Sequence, residues 1–137
     1  MPTMTPLAGT TVLAGAIAVL SAACSGTMNG TAPSPGGACT ASSTSTTITI
    51  SNNAVCPQNI TVPRGTQVTF ANQDSRDHQM YSDPHPEHTD CPELNQVGYL
   101  AAGQSRQTGN LNTARVCGFH DHNQFENKNL QGSITIQ

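Results

Sequence analysis

The chain has 137 residues, a formal net charge of −3 and only 9% charged side chains. None of the charged groups precedes Arg64 and no basic patch exists, which speaks against nucleic acid as a partner. With no Trp, two Tyr and three Phe, an aromatic-lined ligand pocket is also disfavoured.

Residues 1–23 read as a signal peptide rather than as part of a fold. Leu7 to Ala23 is almost wholly apolar or small, about as long as a signal h-region, and closes on Ser21-Ala22-Ala23. A membrane-spanning helix calls for a longer and less Ala/Gly-diluted stretch. Leu20-Ser21-Ala22-Ala23-Cys24 resembles a bacterial lipobox, which makes Cys24 a candidate for acylation; cleavage after Ala23 without a lipid is the alternative. Residues 24–44 are rich in Ser, Thr, Gly, Pro and Ala without apolar periodicity, and read as a flexible tether. The expected location is therefore outside the cytoplasm, in the periplasm or on the outer surface of the membrane. A lipid on Cys24 would be the chain's one membrane contact.

Residues 45–137 suffice for one small domain with a single core. Alternating runs recur there: Thr47-Ile48-Thr49-Ile50-Ser51, Asn59-Ile60-Thr61-Val62 and Gln67-Val68-Thr69-Phe70-Ala71, then Val97-Gly98-Tyr99-Leu100, Ala114-Arg115-Val116-Cys117 and Ser133-Ile134-Thr135-Ile136. Period-two alternation with β-branched residues marks half-buried strands. Pro63-Arg64-Gly65-Thr66 and Ala102-Gly103-Gln104-Ser105 supply turn chemistry between them. Apolar residues nowhere repeat at helical spacing beyond a turn. The expected class is all-β, a Greek-key sandwich of about seven strands.

Chemistry concentrates at the strand ends. His78 lies beyond one strand, and Cys117-Gly118-Phe119-His120 closes another. One thiolate with two imidazoles is the ligand set of a trigonal copper site. A thiol nucleophile with its base is a poorer match for Cys117 and His120, because such a pair comes from distant segments with a third orienting residue. All five histidines fall in two segments, His78, His85 and His88 in one, His120 and His122 in the other; chance scatter does not segregate them so. Cys39, Cys56, Cys91 and Cys117 are an even number in an exported domain and allow three disulfide pairings. Cys39 with Cys56 is the expected bond, since both lie far from the histidines. That leaves two states open. Cys117 is a free copper ligand, or it is bonded to Cys91 and the site is all imidazole, with His122 and one of His85 or His88 filling the vacancy.

Ile60 to Phe70, the segment Ala71-Asn72-Gln73-Asp74 leading to His78, Leu100 to Ser105, the C-x-x-H spacing and the final alternating strand together resemble the plastocyanin-like cupredoxins. The resemblance implies His78, Cys117 and His120 as equatorial ligands of one copper per domain, with Leu130 where the family carries an axial methionine. It implies a one-electron carrier or a copper-holding protein, not an enzyme, monomeric, with a redox or copper-exchanging protein as partner. A sandwich without metal is the remaining structural alternative.

Overall fold

In the computed structural model the described residues are Cys39 and 43–137; the expected signal peptide, Cys24 and most of the tether lie outside them. Nine strands form among these residues: β1 (Thr47–Ser51), β2 (Ala54–Cys56), β3 (Asn59–Val62), β4 (Thr69–Asn72), β5 (His78–Ser82), β6 (Gly98–Leu100), β7 (Ser105–Gln107), β8 (Arg115–Asp121) and β9 (Gln131–Ile136). They make two mixed sheets, one ordered β2-β1-β4-β7 and the other β3-β9-β8-β5-β6. The all-β sandwich expected from alternation is present, with more strands than the six runs marked.

Alternation decides which side chains enter. Ile48, Ile50 and Phe70 of the first sheet and Ile60, Val62, Phe119, Ile134 and Ile136 of the second are buried. Phe70 meets Phe119 edge-to-face across the sandwich, ring centroids 5.2 Å apart, the geometry that the ring quadrupoles favour. Burying a side chain of this size contributes about 1.5–3 kcal/mol relative to leaving it in water.

Three strands escape the pattern. β7 is fully exposed and polar, an edge strand held by pairing with β4 alone. β2 has only three residues and is set by a hairpin in which Asn52 and Asn53 take φ of 52° and 59°, conformations that Asn tolerates. β5 carries His, Gln and Ser, yet it lies in the sheet interior between β8 and β6.

The centre of the second sheet sets up the site. β8 does not end at Cys117 but continues to Asp121, pairing with β9 from Arg115↔Ile136 to His120↔Gln131. Successive side chains therefore alternate: Cys117, Phe119 and Asp121 are buried inward, while Val116 is 62% exposed on the other face. β5 follows the same rule, with His78, Met80 and Ser82 buried and Gln79 and Tyr81 outward. Tyr81 is the cross-strand partner of His120. Odd spacing thus puts Cys117 and His120 on opposite faces.

Candidate metal centre

His120 projects from the outer face of β8, and His122 follows two residues later, at the start of a short 3-10 turn, His122–Gln124. Asp121, between them, caps that turn by accepting from Asn123 N at 2.9 Å. The segment after β5 folds back over this face and brings His88. One ring nitrogen from each of His88, His120 and His122 lies within 4.8 Å of the other two.

The returning segment is well tied. Asp83 N donates to Gly118 O at 3.1 Å, Asp90 N to Asp83 O at 2.8 Å, and His88 N to Pro84 O at 2.8 Å. Asn95 Nδ2 donates to His88 O at 2.7 Å, while Asn95 Oδ1 accepts from Ser82 N at 2.9 Å. Gly118 permits the close approach: a Cβ there would overlap the Asp83 carboxylate. His88 sits at φ 54°, a left-handed conformation that a non-glycine side chain adopts at a cost, and such outliers gather at functional sites.

Each imidazole is oriented from outside. Asp83 Oδ1 lies 2.6 Å from His120 Nδ1; a carboxylate accepts only, so the proton belongs on Nδ1 and the lone pair on Nε2. That Nε2 is buried and has no hydrogen-bond partner. A buried unpaired acceptor is costly, and a metal ion would satisfy it. His122 Nδ1 stands 3.2 Å from His88 Nε2. Tyr81 stacks on His88, centroids 4.7 Å apart and planes at 18°. Burial, and then the positive charge that His120, His122 and His85 would bring, hold the His88 pKa below its ordinary 6.5. His88 is therefore a neutral, lone-pair donor at neutral pH. Three converging imidazoles, one backed by a carboxylate, fit copper or zinc.

The ligand set implied by the resemblance does not assemble. Cys117 is bonded to Cys91, Cα atoms 5.6 Å apart, so no thiolate is available, and its side chain is on the inner face. His78 also points inward, with Nδ1 2.6 Å from Asp121 Oδ2 and Nε2 3.0 Å from Asp74 Oδ2. Both its nitrogens are engaged, and neither is open to a metal. Leu130 and Met80 are wholly buried core residues. Of the expected ligands, His120, His122 and His88 come together, and His85 lies beside them, its ring centroid 4.9 Å from that of His122. Asp83 and Tyr81 were not singled out by the sequence; a carboxylate two residues after an outward aromatic is too common to signal a site. Cys39 is bonded to Cys56, Cα atoms 5.5 Å apart.

No protein-family model matches the chain, and no curated protein matches it. Solved structures do. A purple cupredoxin from Nitrosopumilus maritimus is 20% identical, with 66% of this chain covering 98% of that one at a TM-score of 0.54. The oxidised plastocyanin of Dryopteris crassirhizoma is 19% identical over 66% of this chain and 99% of its own, TM-score 0.52. A Cu(I) form of an amicyanin mutant is 14% identical over 66% and 80%, TM-score 0.52. The fold is that of the cupredoxins. On this cupredoxin sandwich the imidazole cluster lies on the outer face of the second sheet, under the segment that follows β5.

Proposed function

We propose that the chain is a copper-holding protein that binds one copper per domain through an all-imidazole site formed by His88, His120 and His122. The observation that carries this reading is the buried, unpartnered Nε2 of His120, on a ring that has a nitrogen within 4.8 Å of nitrogens of His88 and His122, while Asp83 fixes the proton on Nδ1. The solved relatives in fold include an amicyanin described as Cu(I), which supports copper as the metal. Affinity rises from the earlier divalent metals to Cu(II) and falls again at Zn(II), so an imidazole set takes Cu(II) over zinc where both are present.

A one-electron carrier of the thiolate type is disfavoured by the Cys91–Cys117 bond. A copper-exchanging protein is the partner that suits a holding site, and the domain acts as a monomer without catalysing a reaction of its own. Two disulfides and the apolar stretch over residues 7–23 support a location outside the cytoplasm. Among the described residues no helix is long and apolar enough to cross a membrane. Anchoring through Cys24 rests on the lipobox resemblance and is tested by fractionating the wild type against Cys24→Ala.

The deciding experiment is copper titration of the purified domain with absorption spectroscopy. One equivalent of Cu(II) is expected, with only a faint ligand-field band. An intense visible thiolate-to-copper band would establish the carrier reading instead, and failure to retain any copper would leave a structural sandwich.

A further inference from the structure

Resting on the all-imidazole reading, we propose that His85 is a fourth metal ligand, parked against Phe125 in the free protein and turned onto the ion when Cu(II) binds. Imidazoles sharing one metal at about 2.0–2.1 Å have ring centroids about 5 Å apart in a tetrahedral set, and about 4.5 Å (neighbours) or about 6.4 Å (opposite) apart in a tetragonal one, so a spacing of roughly 4.5–6.5 Å marks a shared centre in either. The rings of His88 and His120 are 5.2 Å apart, and those of His88 and His122 5.0 Å. His85 keeps the same spacing: 4.9 Å to His122, 5.5 Å to His120 and 5.9 Å to His88. It occupies the place of a fourth ring around one centre.

Its orientation differs from theirs. The His85 ring lies flat on Phe125, centroids 4.1 Å apart and planes 9° from parallel, and its nitrogens are not in the tight group formed by the other three. Phe125 itself is 43% exposed, so the stack seals neither ring from water, and it is a weak hold. Pro84 and Pro86 flank His85 and fix φ on both sides, which keeps its Cα beside the site while the side-chain torsions remain free. A ring held near the metal position by its backbone, yet turned onto a weak partner, needs only rotation about its own bonds to coordinate.

The change matters for which oxidation state is held. Cu(II) with nitrogen ligands favours four-fold tetragonal coordination, whereas three imidazoles already satisfy Cu(I). His85 therefore adds affinity for Cu(II) and little for Cu(I).

The test is pulsed electron paramagnetic resonance on the Cu(II)-loaded protein carrying 15N-histidine, with Cu(II) and Cu(I) affinities measured by chelator competition. Four coordinated histidine nitrogens are expected in the wild type and three in His85→Ala. Loss of an outer partner costs about 10–100-fold, so removing this direct ligand weakens Cu(II) by about a hundredfold or more while leaving Cu(I) nearly unchanged. Phe125→Ala, which removes the stack and no ligand, keeps four. Three nitrogens in the wild type, four in His85→Ala, or equal weakening of both oxidation states overturns the proposal while leaving the three-histidine site standing. A wild type that binds no copper overturns the underlying reading instead.

Discussion

His78 and His120 lie on neighbouring strands of one sheet, both almost completely buried, and they are prepared for opposite tasks. On the inner face His78 is held at both nitrogens, by Asp121 and Asp74, and each carboxylate is itself anchored: Asp121 by Asn123 N, Asp74 by Asn53 N at 3.0 Å. On the outer face His120 has one carboxylate, Asp83, and a second nitrogen left bare before two other imidazoles. The number of carboxylates separates a structural clamp from a ligand. Which face a strand residue points to decides how many it meets.

The sharpest way to break this contrast is to delete each histidine. His120→Ala removes the best-prepared ligand, so copper retained after gel filtration should fall to background, with little loss of fold. Full retention of one copper in that variant would erase the distinction.

His78→Ala should act in reverse. It leaves the buried Oδ2 of Asp121 without its hydrogen-bond partner, and a buried acceptor left unpaired costs about 1–3 kcal/mol. Chemical denaturation should show that loss, while the copper stoichiometry at low temperature stays at one. A stable variant that no longer binds copper would make His78 a ligand after all.

Much of the fold was legible and the site was only half so, for one physical reason. Alternation announces strands whose buried face is apolar, and thus β1, β3, β4, β6, β8 and β9. It hides β5, whose buried positions include His78 and Ser82, and β7, which buries nothing. The gathering of histidines into two segments pointed to one neighbourhood, and in the structure ring nitrogens of His88, His120 and His122 lie within 4.8 Å of one another. What could not be read was where β8 stops. Had the strand ended at Cys117, the C-x-x-H segment would be free to turn its thiol and imidazole toward one centre. Because pairing with β9 continues to His120, residues 117 and 120 fall on opposite faces. The i, i+2 pair His120 and His122 then becomes the informative spacing.

Smaller effects sharpen the outer half of the contrast. Asp83→Asn can still contact His120 but no longer fixes the proton on Nδ1 as a carboxylate does. Copper affinity should drop about 10–100-fold, the usual cost of losing an outer-shell partner. Gly118→Ala should mimic it, since the added methyl group collides with the same carboxylate. Unchanged affinity in both variants would mean that Asp83 is a loop anchor and nothing more.

The smallest effect belongs to the inner clamp and is read from acid stability. Burial acts to raise the Asp74 pKa, but hydrogen bonds from the amides of Asn53 and Asn52 and from His78 outweigh it, and the carboxyl is held below its ordinary 3.8. A folded-state pKa below the unfolded one means that the unfolded chain takes up the proton first. The stability that Asp74 contributes is therefore complete above about pH 4 and disappears as pH falls through its lowered folded value. Asp74→Asn should remove this part of the acid limb at a cost of about 1–3 kcal/mol at neutral pH, the worth of hydrogen bonds to a charged group. Its copper affinity should match that of the wild type, because the clamp and the cluster face opposite sides of the sheet. A parallel loss of copper would show that the clamp positions the cluster, through Asp121 and the turn that carries His122.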